Sequence, residues 1–418
     1  MLNIHSFDEA RAALEPYYLP RPQEQVYTLD RMRELLAFVG NPQDAVQVIH
    51  VAGTSGKTST AYYVTALLQA AHQKVGTTVS PHVVELSDRV QINGKPLPER
   101  RFCADLTEFM GLVEQSGLQP TYFELMLAFA FWEFRRQAVD VAIVEVGIGG
   151  LLDSSNTIMR PDKICVITDI GFDHVQILGS TIEAIAAQKA GIIQLHNTVF
   201  CMKQADEVLE VFRATAQQKQ ADLHILSQLT EPDMKGLPLF QRRNFQLARA
   251  AAIHVLERSG AILTPAMQKK AMTIRIPGRM ETFTFEGKTV IIDGAHNEQK
   301  LEALMQSVAE AYPHQKPLLI VAFGQQAEAL ARIEGGLHAL RPFVDSIITT
   351  QFGGADDAPH YGVEASIIAA VAKISAFNSV EAIPNPEKAL REALKSDSQV
   401  IVVTGSFYLL NHIRPLLV

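Results

Sequence analysis

Short apolar runs alternate with segments of helical period along nearly the whole chain, the pattern left by parallel sheets covered with helices. Strands are predicted at Val46–Ala52, Val75–Val79, Val139–Val146, Lys163–Ile170 and Thr198–Met202. A helix is predicted at Thr58–Ala71, with Ala61, Val64, Leu68 and Ala71 on one face. A second, long and buried, at Tyr122–Gln137 feeds the strand that ends in Glu145. Proline and glycine interrupt the pattern at Ile276-Pro-Gly-Arg279, and a new series follows. Its strands are expected at Thr289–Asp293, Pro317–Phe323, Val344–Thr350 and Gln399–Thr404, and its helices at Glu298–Tyr312, Ala327–Leu340, Val363–Ile374 and Pro386–Ser396.

At 418 residues the chain is too long for one ordinary domain, and an apolar fraction of 47% is ample for two cores. Net charge is −8, the pI is about 5.9, and no cluster of Lys or Arg stands out, which argues against nucleic acid as a partner. Cys103, Cys165 and Cys201 are few and widely spaced, with no zinc-type pairing, and fit a reducing compartment. The first ten residues lack the basic start and apolar run of a signal peptide, and the most apolar stretch, Leu125–Trp132, is too short to span a bilayer. A cytoplasmic monomer with no membrane partner is the expectation.

The chemistry concentrates in Val48–Thr60, where an apolar strand meets the turn Gly53-Thr-Ser-Gly-Lys-Thr58 and a helix begins. Backbone N–H groups from Gly53 through Gly56, the positive end of the helix dipole and Lys57 together suit a nucleotide's phosphates. A hydroxyl at Thr58 or Ser59 suits Mg²⁺. The full pattern G-x-x-x-x-G-K-[ST] would need glycine at position 51, which is Val51, so the motif is the shorter variant. Further polar residues recur at predicted strand ends, where open α/β sheets bind ligands: Ser80-Pro-His82, Glu145, the Gly147–Gly150 and Asp153–Asn156 stretches read as flexible loops, and Asp173-His174. Lys189 follows a helical segment. The fold class is therefore α/β, a P-loop-type parallel-sheet ATPase domain over residues 1–276 followed by a smaller Rossmann-like domain over 277–418.

Taken with Thr77–His82, Asp88–Gly94, Thr121–Glu124, Glu145–Gly150, Ile170–His174, Lys189–Ile193, Pro277–Arg279, Asp293–Asn297 and Thr404–Tyr408, the phosphate loop resembles that of the folylpolyglutamate synthase/dihydrofolate synthase family, within the Mur ligase superfamily. The resemblance runs from about Thr28 to the C-terminus. It implies an ATP-dependent ligase that adds L-glutamate to a folate or pteroate acceptor through an acyl phosphate, with ATP and two Mg²⁺ ions. It implies phosphate contacts from Gly53, Thr54, Ser55, Gly56, Lys57, Thr58 and Ser59, and metal contacts from Thr58, Ser59, Ser80, Glu145 and His174. Lys189 corresponds to the lysine that becomes carbamylated in this superfamily. Lys57, Glu145, His174 and Lys189 would form the catalytic set. Asn244, Arg279, Asp293 and His296 would reach ATP from the hinge and the C-terminal domain, which would close about Ile276–Arg279, and Arg89, Phe123, Asp153 and Ser406 would contact substrate.

The chain departs from the family at three places. Thr58 stands where the folate branch usually has glycine, as in peptidoglycan ligases; Leu151 replaces the arginine of Gly-Gly-Arg-Leu-Asp; and Gln325–Glu328 lacks the usual Asp-Lys-Asp. These differences bear on the acceptor rather than on the ATP chemistry, leaving a cell-wall acid as an alternative. A P-loop phosphotransferase and a non-catalytic nucleotide-binding protein are the more distant ones.

Overall fold

The computed structural model describes residues 3–18, 28–82, 84–227, 234, 236–325, 329–353 and 361–418. The chain divides into two compact units, one of residues 1–236 and 241–274, the other of 237–240 and 275–418. The division falls two residues before the boundary read from sequence, and a short piece of the second unit, 237–240, includes the first two residues of the helix Leu239–Ser259.

The first unit is built on a sheet whose strands are β1 (Gln47–Ala52), β2 (Val75–Thr78), β3 (Gln91–Ile92), β4 (Lys95–Pro96), β5 (Val141–Glu145), β6 (Ile164–Ile167), β7 (Thr198–Met202) and β8 (Asp222–Leu226). They lie in the order β4-β3-β2-β5-β1-β6-β7-β8. Pairing from β2 through β8 is parallel, and β3 and β4 add antiparallel to the β2 edge. Because β1 lies between β5 and β6, the loops that leave the C-terminal ends of all three open at one place. Every residue of β5 and β6 is buried, as expected of central parallel strands covered on both faces.

The helix Tyr122–Arg136 starts with a capping box: Thr121 accepts from the Glu124 N–H while the Glu124 carboxylate accepts from the Thr121 N–H. It is apolar almost all round because it runs through the core, where Phe129, Phe131 and Phe134 are fully buried. Each such ring contributes roughly 1.5–3 kcal/mol of transfer free energy.

The second unit holds β9 (Glu281–Phe285), β10 (Lys288–Ile292), β11 (Leu318–Val321), β12 (Ser346–Thr349), β13 (Ser379–Ala382) and β14 (Val400–Thr404), ordered β13-β12-β11-β14-β10-β9. All pairs are parallel except β9 with β10. Glu281, at the start of β9, receives a bidentate ion pair from Arg414, with N–O distances of 2.9 Å, and also accepts from the Gly278 N–H at 3.0 Å.

Five strands were not anticipated: β3, β4, β8, β9 and β13. All lie toward sheet edges, are short or partly exposed, and so lack the continuous apolar run that marks a buried strand. The predicted change at 326–328 lies outside the described residues. No described helix is long and apolar enough to cross a membrane. The three cysteines are buried free thiols, and burial pushes Cys165 up to about 11 and Cys201 up to about 12.

Candidate active site

The glycine turn leaves β1 at Ala52 and enters the helix Lys57–Ala70. Two of its residues must be glycine. Gly53 has φ +147° and a Cβ there would lie 1.8 Å from Thr168 Oγ1; Gly56 has φ +93° and a Cβ there would lie 2.1 Å from Asn244 Oδ1. The turn is thus packed between the end of β6 and Asn244, which brings that predicted nucleotide contact against the loop.

Thr54 and Ser55 differ from expectation. Their N–H groups donate to the Asp169 carbonyl, at 3.0 and 3.3 Å, and Thr54 Oγ1 donates to the Gly171 carbonyl at 3.0 Å. Their backbone donors are committed to holding the loop. The N–H groups that could serve an anion are then those of the helix's first turn, which has no intrahelical acceptors for them and begins at Lys57.

Lys57 Nζ and Lys189 Nζ both donate to the Gly53 carbonyl, each at 3.0 Å. Lys189 is buried in the last turn of the helix Ile182–Ala190 rather than displayed as a surface charge. Thr58 Oγ1 donates to Glu145 Oε1 at 2.9 Å, and the Ser80 N–H reaches Glu145 Oε2 at 3.3 Å. Glu145, 3% exposed at the end of β5, therefore ties the P-loop helix to the turn after β2. The Ser59 hydroxyl is buried and has no hydrogen-bond partner among the described residues.

His174 follows the same P-loop-anchored segment, since Gly171 N–H also donates to Thr54 Oγ1 at 3.1 Å. Its own side chain is partly exposed and stands 3.8 Å from Asp173 Oδ1. No group of three His, Cys, Asp or Glu side chains among the described residues is arranged to hold a metal. The donor set near the phosphate turn is instead one carboxylate, Glu145, with the hydroxyls of Thr58 and Ser59. Such hard oxygen donors fit Mg²⁺, which takes one or two carboxylates and completes its shell with water and phosphate oxygens.

Beside Glu145 lies a small hollow of about 10 Å³ lined by Ser80, Arg89, Phe123 and Glu145. Arg89 is buried, donates from Nε to His82 Nδ1 at 3.2 Å and stacks 4.9 Å over the Tyr122 ring. Phe123 also lines a larger cleft of about 240 Å³, with Arg31, Ile148, Leu152, Asp153 and Ile177. Leu152, Ile177 and the nearby Leu151 are exposed apolar residues at 43, 46 and 45%. Arg31 donates to Glu124, another lining residue, at 2.7 Å.

Asp153 departs from the simple role of substrate ligand. Oδ2 accepts the N–H groups of Gly147 and Ile148, each at 3.0 Å, and Oδ1 accepts the N–H and the hydroxyl of Ser155. Burial pushes its pKa up, against these bonds that favour the charged form. The Gly147–Asn156 segment, read as flexible, is held closed by this carboxylate and by Asn156, whose amide donates to the carbonyls of Leu151 and Gly191.

In the second unit, Asp293 accepts the N–H groups of Met280 and Ala295 at 2.7 and 2.8 Å, fixing the turns around Arg279 and His296. Burial raises the Asp293 pKa, and the nearby Arg279 opposes that shift. Arg279 lies 4.1 Å over Phe407, and His296 Nδ1 pairs with the Gly294 carbonyl at 2.8 Å. Ser406 caps the helix Phe407–Ile413, accepting from the Tyr408 N–H at 3.2 Å.

Sequence reading missed Asp169 and Arg243. Arg243 forks onto Asp169 at 2.6 and 2.9 Å, joining the segment that holds Thr54 and Ser55 to the residue before Asn244. A carboxylate just past the end of β6 and an arginine beside Asn244 were the available signals.

The Mur ligase middle domain matches residues 51–281, and the Mur ligase glutamate ligase domain matches 278–407. A dihydrofolate synthase/folylpolyglutamate synthase of Mycobacterium tuberculosis is 32% identical, covering 78% of this chain and 74% of its own length. One of Bacillus subtilis is 29% identical over 92% of this chain and 94% of its own length. The crystal structure of a Mycobacterium tuberculosis folylpolyglutamate synthase complexed with ADP and AMPPCP superposes with a TM-score of 0.84 at 28% identity, covering 98% of both chains. On these grounds the chain belongs to the folylpolyglutamate synthase/dihydrofolate synthase family of Mur ligases.

Proposed function

We propose that this protein is an ATP-dependent, ADP-forming ligase that joins the amine of L-glutamate to a carboxyl group of a folate or dihydropteroate acceptor. The observation that carries the reading is the shared wall at Phe123, with an apolar-rimmed cleft on one side and Glu145, bonded to the phosphate-loop Thr58, on the other. An acceptor seated in the cleft would extend its carboxylate toward the nucleotide's end phosphate.

Amide formation in water is uphill, so the acid needs a better leaving group first. A carboxylate oxygen attacks the γ-phosphorus, the bond to the β–γ bridging oxygen breaks, and ADP departs. The glutamate nitrogen then attacks the acyl carbon, inorganic phosphate leaves, and the nitrogen gives up a proton. Lys57 and the first-turn N–H groups of its helix orient the phosphates and disperse their charge, chiefly an effect of alignment and electrostatics. Thr58, Ser59 and Glu145 would hold Mg²⁺, which when bound supplies Lewis-acid neutralisation of phosphate charge.

Lys189 fits the carbamylation expected of it. Two ammonium groups each 3.0 Å from one carbonyl oxygen are at most about 6 Å apart, and at an effective dielectric of 20 they repel by about 3 kcal/mol. Loss of two protons from one ammonium and addition of CO₂ to its Nζ turn that cation into an anionic carbamate and reverse the sign of the interaction.

A coupled ADP-release screen tests the assignment, with pterin, folate and muramyl-peptide acceptors, each with and without L-glutamate. Release that requires both glutamate and a pterin-bearing acceptor is expected. Release without any amine, leaving a stable phosphorylated product, would make the protein a phosphotransferase, and release with cell-wall acids alone would move it to another branch.

A further inference from the structure

Within β1, three residues before the phosphate turn, His50 is fully buried, and its Nε2 lies 2.8 Å from Ser155 Oγ. Ser155 is itself fully buried and donates its hydroxyl proton to Asp153 Oδ1. A hydroxyl has one proton to give, so Nε2 must be the donor in the first bond, and His50 is the neutral tautomer protonated at Nε2. The other nitrogen, Nδ1, has no hydrogen-bond partner among the described residues, as an unprotonated ring nitrogen in an apolar strand environment would have. Burial, and secondarily the cation of Lys163, hold the imidazole well below its ordinary pKa. The network ends on the Asp153 carboxylate, whose Oδ2 accepts the N–H groups of Gly147 and Ile148. Those residues and Asp153 line the 240 Å³ cleft, and Gly147 is in the turn that follows Glu145.

We infer that His50 and Ser155 are positioning residues for the acceptor site: the relay His50 Nε2–H to Ser155 Oγ–H to Asp153 fixes the Gly147–Ile148 wall of the cleft relative to the strand that carries the phosphate loop. The inference rests on the reading of that cleft as the acceptor site. It explains why a carboxylate at the cleft edge has both oxygens turned inward onto N–H and O–H donors: the acceptor meets a wall that Asp153 organises. A hydroxyl, which accepts as well as donating its single proton, can join an N–H donor on one side to a carboxylate on the other. Alanine there leaves the imidazole donor and one carboxylate oxygen short of a partner.

The test compares wild type with Ser155→Ala, Ser155→Thr and His50→Gln, with KM measured separately for acceptor and ATP. Imidazole ¹⁵N shifts are recorded for the three proteins that retain His50. In Ser155→Ala the acceptor KM is expected to rise about tenfold with ATP KM unchanged within twofold. Ser155→Thr and His50→Gln, which keep a hydroxyl and a side-chain N–H donor respectively, should recover most of the loss. The wild-type spectrum should show the Nε2–H tautomer, with the Nε2 resonance displaced in Ser155→Ala. Equal losses for ATP and acceptor, no loss at all, or an Nδ1–H tautomer would overturn the relay. Wild-type protein that releases no ADP with any pterin acceptor would instead defeat the assigned function, and the ring shifts would still decide the relay.

Discussion

Gly56→Ala is the sharpest probe of the phosphate turn. At φ +93° an alanine adopts a left-handed conformation that costs about 1–2 kcal/mol. Its Cβ would also lie 2.1 Å from Asn244 Oδ1, so the amide must move. Asn244 is 4% exposed and donates to Gln241 Oε1 at 3.3 Å, so displacing it sacrifices a buried hydrogen bond worth about 1 kcal/mol. If the turn relaxes to escape both penalties, ATP must restore it on binding, and about 2–3 kcal/mol converts to a Kd raised roughly 30–150-fold. Titration calorimetry with ADP and a non-hydrolysable ATP analogue measures this, with melting curves to confirm folding. Because part of the cost is the collision with Asn244, the double variant Gly56→Ala/Asn244→Ala should lose less than the two single losses added together. A Kd for Gly56→Ala within twofold of wild type, or strict additivity in the double variant, would refute the argument.

Lys57→Ala and Glu145→Ala should each reduce kcat by at least about 100-fold with far-ultraviolet circular dichroism unchanged, since they remove charge stabilisation of the transferring group; near-normal turnover of either would dismiss the phosphate and metal roles. Lys189→Ala should be inactive and partly rescued by millimolar short carboxylic acids, whose carboxylate replaces the carbamate, and intact-protein mass spectrometry under CO₂ should find the modification on wild type. The His50 pKa is depressed, so its contribution to stability is present above the ordinary imidazole value of 6.5 and is lost as pH falls below it. Urea unfolding should therefore show wild type losing up to about 1.4 kcal/mol per pH unit more than His50→Gln below that value, and parallel curves would exclude a neutral buried His50.

Central architecture was legible because β1, β5, β6 and β7 are buried almost throughout and read as mostly apolar runs. β8 and β13, partly to largely exposed, carry no such run, and β3 and β4 are two-residue pieces defined by pairing alone. At the candidate site, the structure brings Lys57, Thr58, Glu145 and Lys189 around the glycine turn, and the first three were legible because the turn and a strand end put polar groups at recognisable positions. The commitment of Thr54 and Ser55 to Asp169 was not visible, since that partner lies up to 115 residues away in the chain; the inward turn of Asp153, whose partners lie within six residues, depends on a loop conformation that no sequence period encodes. His50 was hidden for another reason: within a strand it reads as one polar interruption, and only its distance to Ser155 gives it a role.

The pairing of Arg414 with Glu281 gives the chain's final turn a part in something distant from it in sequence. Glu281 is 5% exposed, and its carboxylate also fastens the Gly278 N–H, immediately before Arg279. Clipping the polypeptide after Ile413 would strand that anion without a counter-charge, an imbalance of about 3–5 kcal/mol that the fold would relieve by loosening the Arg279 corner. Removing the segment from Arg414 onward would therefore be felt at the β9 edge of the second sheet.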